Sequence, residues 1–170
     1  MPQLLILRHA IAMDRDEADA LSLSDFERPL TDKGRERMVQ VASGIKRTIH
    51  EPALILSSPL LRARQTAEIL AAQYDKVDMD IIEELSPGHS LHQLIAVLQK
   101  QQVTAPLVIV GHEPSLSTFA GLLLCGRPFS PLQLKKAGAA LFEFNQRIDS
   151  GCGTLLWLMP PRLLRIYNME

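Results

Sequence analysis

Leu4-Leu5-Ile6-Leu7-Arg8-His9-Ala10 opens the chain with four bulky aliphatics in a row, followed directly by a cation and an imidazole. A short, continuously apolar run of this kind reads as a strand buried on both faces, the pattern of a parallel sheet covered by helices. Such a strand delivers Arg8 and His9 at its carboxyl end, where open α/β sheets bind ligands. Arg8 brings a planar fork of donors matched to carboxylate or phosphate. His9 can serve as base, nucleophile or metal ligand. An ordinary solvated strand end carries the same two residues, so the weight falls on what the rest of the chain brings to the same edge.

Outward from that stretch, Thr31 caps a helix whose Met38, Val41, Ala42 and Ile45 recur at helical spacing, and His50-Glu51-Pro52 ends it. Ala53-Leu54-Ile55-Leu56 predicts a second buried strand running into Ser57-Ser58-Pro59. There Pro59 suits the first position of a helix capped by Ser58. Leu60, Ala63, Ala67, Leu70 and Ala71 mark that helix's buried side, and Arg62 falls in its first turn, near the end of the second strand. Arg62 is either a solvated first-turn arginine or a second anion ligand, aided by the helix amino end. Val77 to Ile82 gives a weaker strand, and His89 to Gln99 a helix with Leu91, Leu94, Ile95 and Leu98 inward. Leu107-Val108-Ile109-Val110 is a third buried strand, ending at Gly111-His112-Glu113-Pro114, with an apolar helix from Leu116 to Leu124 beyond it. Three separate segments thus place Arg8 and His9, Arg62, and His112 at one sheet edge.

The remaining segments are scaffold or rim. Ile11 to Pro29, with Asp14, Asp16, Glu17, Asp19, Asp25 and Glu27, is a long acidic connection, either a solvated loop or a rim over the site. Ala139 to Phe144 and Thr154 to Leu158 read as two closing strands added antiparallel at the edge, turning at Asp149-Ser150-Gly151. Phe142, Phe144 and Trp157 are expected in the packing, and Leu163 to Tyr167 forms a short tail.

Composition excludes several classes. The 170 residues suffice for one domain with a real core, and 46% hydrophobic content with 5% aromatic suits aliphatic α/β packing. A formal net charge of -1 gives no electrostatic case for nucleic acid, and no basic tract suggests a membrane surface. No apolar run reaches the length of a membrane span. Cys125 and Cys152 have no metal-ligand spacing and are expected to be reduced thiols of a cytoplasmic protein, since Met1-Pro2-Gln3 leaves no room for a targeting segment. No metal or cofactor is encoded: His112-Glu113 meets Leu116 where a zinc-protease helix needs its second histidine. Neither cysteine has the downstream arginine of a cysteine phosphatase, because Arg127 is too close to Cys125 and Leu158 lies beyond Cys152.

Arg8-His9-Ala10, Ser58-Pro59-Leu60-Leu61-Arg62-Ala63-Arg64-Gln65-Thr66-Ala67 and Gly111-His112-Glu113 together resemble the three signatures of the histidine phosphatase superfamily, the phosphoglycerate mutase-like fold. The short length, Arg28-Pro29-Leu30-Thr31, Glu84-Leu85-Ser86-Pro87, Gly111-His112-Glu113-Pro114 and, more weakly, Lys135-Lys136-Ala137-Gly138 resemble the SixA-type phosphohistidine phosphatases within it. The resemblance implies a three-layer α/β/α sandwich with a mostly parallel central sheet over residues 1–170. It also implies phosphate bound by Arg8, Arg62 and His112, a phospho-His9 intermediate, and a phosphohistidine-containing phosphotransfer protein as substrate. The chemistry agrees: a transferring phosphoryl group spreads charge over its oxygens, and placed cationic donors supply most of the stabilisation.

One departure bears on the substrate. Larger members of the family carry a glutamate general acid after the third strand, where Pro87 stands here. Glu84 and His89 are the nearby candidates, each equally readable as a solvated residue. An imidazole leaving group can already be protonated near neutral pH, whereas an alkoxide needs an acid. A site lacking the acid therefore favours phosphorus–nitrogen bonds. The alternatives are a phosphatase of a small phosphomonoester and a non-catalytic phosphate-binding adaptor, the latter disfavoured by the intact Arg8, His9, Arg62 and His112.

Overall fold

The computed structural model describes residues 1–101 and 104–166. Strand β1 (Gln3–Arg8) runs through the interior with Leu4 to Leu7 fully buried. Successive side chains of a strand leave on opposite faces. Leu5 and Leu7 accordingly enter one core, and Leu4 and Ile6 the other. The chain continues through α1 (Arg15–Ala20), α2 (Asp32–Thr48), β2 (Leu54–Ser57), α3 (Leu61–Ala71), β3 (Asp78–Ile81) and α4 (Leu91–Lys100). It ends with β4 (Leu107–Gly111), α5 (Ser115–Cys125), β5 (Ala139–Phe144), β6 (Gly153–Met159) and α6 (Pro161–Ile166). Short 3-10 turns occupy Asp25–Glu27 and Glu83–Leu85.

The six strands form one sheet in the order β3-β2-β4-β1-β5-β6. The first four are mutually parallel, while β5 runs antiparallel to β1, and β6 to β5. Met38, Val41 and Ile45 of α2, Ala63, Ala67 and Leu70 of α3, and Leu164 of α6 pack on one face. Leu94 and Leu98 of α4 and Phe119, Leu122 and Leu123 of α5 pack on the other. The result is the expected α/β/α sandwich with a mostly parallel sheet. Neighbouring strands β1 and β4 then send the chain in opposite directions, β1 through α2 on one face to β2, and β4 through α5 on the other face to β5. Their carboxyl ends form the topological switch point, the crevice where such sheets bind ligands.

Several local expectations are corrected. The acidic connection is not irregular throughout: it contains α1 and the Asp25–Glu27 turn, and its ends pair through Ala12 and Leu30. Only Ala18 of α1 is buried, so the helix shows no apolar period to read. Helix α3 starts at Leu61 rather than Pro59, because Ser58 is drawn into the site described below. Helix α4 starts at Leu91 with Ser90 as its cap, which leaves His89 ahead of the helix. The tail is a helix, α6, docked on α2 where an added Cβ at Gly44 would stand 1.9 Å from the carbonyl oxygen of Leu164. Tyr167 lies outside the described residues.

Candidate active site

The four residues expected to converge do so at the β1/β4 switch point. β1 ends in register with β4, Arg8 opposite Gly111, and the pairing continues one residue further as His9 N–H donates to Gly111 O at 3.1 Å. On the other side, Ala137 N–H donates to the carbonyls of both Arg8 (3.2 Å) and His9 (3.1 Å). Ala137 has φ 60°, a left-handed conformation that costs a side-chain-bearing residue energy, and it occurs here on the loop that clamps the strand end. The imidazole of His9 is therefore carried on backbone held from both sides.

Its tautomer follows from its partner. His9 Nδ1 lies 2.7 Å from Ala10 O, and a carbonyl oxygen can only accept, so Nδ1 carries the proton and Nε2 keeps its lone pair. Thr66, fully buried on α3, fixes this geometry: its Oγ1 accepts from Ala10 N–H at 3.0 Å and donates to Arg62 O at 2.7 Å. One hydroxyl thus ties the turn after β1 to the first turn of α3. Burial pushes His9 down to about 3, with the charges of His112, Arg62 and Arg8 adding to the effect and the bond to Ala10 opposing it. The ring is neutral across the physiological range, with Nε2 unprotonated.

His112 stands beside it, with ring centroids 5.2 Å apart. Its Nε2 lies 2.8 Å from Ser58 Oγ, and its Nδ1 is buried with no partner among the described residues. Ser58 Oγ also accepts from Leu60 N–H at 3.3 Å; when it gives its own proton to Nε2, Nδ1 is the ring's donor, and when it accepts from a protonated ring, Nδ1 donates as well. Burial, then the charge of Arg62, pushes His112 down to about 4, with Asp25 opposing. Arg8 donates through Nη1 to Leu134 O at 2.8 Å, and its Nε is buried without a partner. Arg62 is 4% exposed, and its Nε is likewise without a partner. Buried donors are nearly always satisfied in native structures. Three orphaned donors from three segments, Arg8 Nε, Arg62 Nε and His112 Nδ1, suit an oxyanion.

Two further charged residues belong to this region. Arg62 donates through Nη1 to Asp25 O at 2.8 Å and through Nη2 to Asp25 Oδ2 at 3.2 Å, while Arg28 Nε donates to Asp25 Oδ1 at 2.9 Å. Burial works against ionisation of Asp25, but Arg62 and Arg28 outweigh it and hold the carboxyl below its usual range. The acidic connection thus meets the site at one aspartate, Asp25, through Arg62. Sequence alone could not single out Asp25 among six acids of that loop. Arg28 stood in a motif without a role. Glu84 is half-buried on the Glu83–Leu85 turn, whose Leu85 borders Gly111, and His89 and Pro87 are exposed. Among the described residues, no hydrogen bond or ion pair joins Glu84 or His89 to the four residues above. Nor is any group of three His, Cys, Asp or Glu placed to hold a metal there. Cys125 and Cys152 are free thiols, both exposed, and no described helix is long and apolar enough to cross a membrane.

A neutral imidazole among arginines at a switch point is the arrangement that the comparisons with known proteins bear on. Residues 4–88 match the profile of the histidine phosphatase superfamily (branch 1), and the chain belongs to that superfamily. An uncharacterised protein of Picosynechococcus is 42% identical over 139 residues, covering 80% of this chain and 81% of that one. The phosphohistidine phosphatase SixA of Escherichia coli is 27% identical over 167 residues, covering 96% and 97%. The solved structure of the protein histidine phosphatase SixA complexed with tungstate superposes with a TM-score of 0.79 at 28% identity, covering 95% of this chain and 99% of that one.

Proposed function

We propose that this phosphatase hydrolyses phosphohistidine on a phosphotransfer protein through a phospho-His9 intermediate. The observation that carries the reading is the His9 tautomer, with Nδ1–H held by Ala10 O and Nε2 left free beside three orphaned buried donors. Arg8, Arg62 and His112 bind the phosphoryl oxygens, and Nε2 attacks phosphorus. Charge-assisted bonds from these donors stabilise the equatorial oxygens as the transfer proceeds, a task that positioned cations can perform. Water then hydrolyses the phosphoramidate on His9. The substrate class rests on the leaving group. Pro87 occupies the acid's position in the chain, and neither Glu84 nor His89 is bonded to the site, which suits a leaving imidazole that already carries its proton. The likeness to SixA, a phosphohistidine phosphatase, supports the same choice.

Rapid acid-free quenching with radiolabelled phosphohistidine protein tests the intermediate. Acid-labile, base-stable label is expected on His9, and His9→Ala should abolish both label and turnover. Label persisting in the variant overturns the assignment.

A further inference from the structure

We infer that Asp25 is a specificity-determining residue whose carboxylate accepts the distal N–H of the substrate's phosphorylated imidazole ring. The inference rests on the proposed phosphohistidine reading and adds the group that selects that leaving group over an alcohol.

In-line displacement puts the leaving group on the far side of phosphorus from the nucleophile. Asp25 is joined to the anion-binding set through Arg62, and its charge bears on His112 as well. Its backbone carbonyl and carboxylate are both gripped by the Arg62 fork, and Arg28 takes the second carboxylate oxygen. The side chain is nevertheless 48% exposed. A carboxylate offers about four acceptor positions, and the close bonds from Arg62 and Arg28 use two of them.

An anion in that position is ill suited to an ester. It has no proton to give a departing alkoxide, and it repels the charge developing there. It suits a phosphorylated imidazole in its protonated form, whose distal nitrogen carries a proton and whose ring is cationic. The phosphoryl transfer then joins two like rings. The His9 Nε2 lone pair forms the new P–N bond, the substrate's P–N bond breaks with its pair returning to the leaving nitrogen, and that ring departs neutral, keeping its distal N–H. On the enzyme's side Ala10 O holds the Nδ1–H of His9. On the substrate's side Asp25 holds the corresponding proton. Water attack on phospho-His9 returns the second P–N pair to Nε2 and releases dihydrogen phosphate, so protons balance without a further acid.

The test compares wild type and Asp25→Asn, in the full chain, on phosphoimidazole and on p-nitrophenyl phosphate. The asparagine keeps the shape, and the Arg62 bond to the backbone carbonyl survives, so both rates are read and their ratio is the result. The phosphoimidazole to p-nitrophenyl phosphate ratio of kcat/KM is expected to fall about 10- to 100-fold, the range of a hydrogen bond to a charged group. Equal losses on both substrates would show that Asp25 only holds Arg62, and an unchanged phosphoimidazole rate would remove it from the reaction; either result overturns the inference. A wild-type chain that cleaves p-nitrophenyl phosphate but not phosphoimidazole instead overturns the substrate reading beneath it.

Discussion

Two buried histidines make stability depend on pH. His9 and His112 sit at about 3 and about 4 in the folded chain against an ordinary 6.5. Both shifts are downward, so between these values the unfolded chain binds protons that the folded chain does not. Stability therefore falls as pH drops from near 7 toward 4, and is indifferent to these groups above 7. Each tenfold difference in proton affinity is worth about 1.4 kcal/mol, so the loss is expected to reach several kcal/mol. Urea unfolding at pH 7.5 and pH 5 checks it, and a His9→Gln, His112→Gln double variant should show a flatter dependence. Equal losses in both proteins would place the effect elsewhere. At this scale the sequence was informative where a side chain follows a run of aliphatics: Arg8, His9 and His112 inherit their position from the strand before them. Asp25 inherits nothing of the kind. Its place is set by where a surface loop meets Arg62, a tertiary fact that leaves no period in the sequence. Ser58 and Thr66 were legible only as motif letters, because a hydroxyl's partners come from other segments.

At the scale of elements, the entry to α2 holds the turn that follows His9. Thr31 Oγ1 accepts from Gly34 N–H at 3.0 Å, and Thr31 N–H donates to Ile11 O at 3.0 Å. A Cβ at Gly34 would stand 2.1 Å from that same Ile11 oxygen, so the glycine is required by the close approach of two backbones. Ordinarily Gly→Ala inside a helix gains about 1 kcal/mol. Here the overlap falls on backbone, which cannot swing aside, and overpacking costs about 1–3 kcal/mol. Gly34→Ala is expected to lower Tm by several degrees and to reduce kcat by more than KM rises, since the displaced turn carries Ala10 and hence the His9 tautomer. A Tm that rises would mean that the turn yields freely. The elements read well from sequence were those with a buried face: α2, the central strands, and α5. Helix α1, with one buried residue, and α6, whose docking depends on Gly44 meeting Leu164, gave no such signal. The start of α3 was misplaced because Ser58-Pro59 is a good helix opening locally, and the bond from Ser58 to His112 overrides it.

At the scale of the whole molecule, the sheet order gathers cationic donors from segments far apart in the chain while the net charge stays at -1. Arg8 precedes the first crossover, Arg62 follows the second strand, and His112 follows the fourth, so an anion that touches all three adds to the bridges that Thr66 and Ser58 already make between these segments. Binding to the folded state alone stabilises by about 2.7 kcal/mol at one hundred times Kd. For a chain of this length that corresponds to a Tm rise of roughly 5–11 °C. Sulfate is the informative probe, because it keeps its double charge from pH 4 to pH 8 whereas phosphate does not. Arg62→Ala should abolish most of the rise. The same probe reports on His112, which burial and Arg62 hold near 4 in the free protein. A dianion at its Nδ1 favours the protonated ring, so binding takes up a proton, and by linkage sulfate must bind more tightly as pH falls from 7.5 to 5.5. Calorimetry in buffers of different ionisation enthalpy measures that uptake directly. If affinity is flat across this range and no proton is taken up, His112 donates as a neutral ring with its tautomer set by Ser58, and the positive charge at the site comes from the arginines alone.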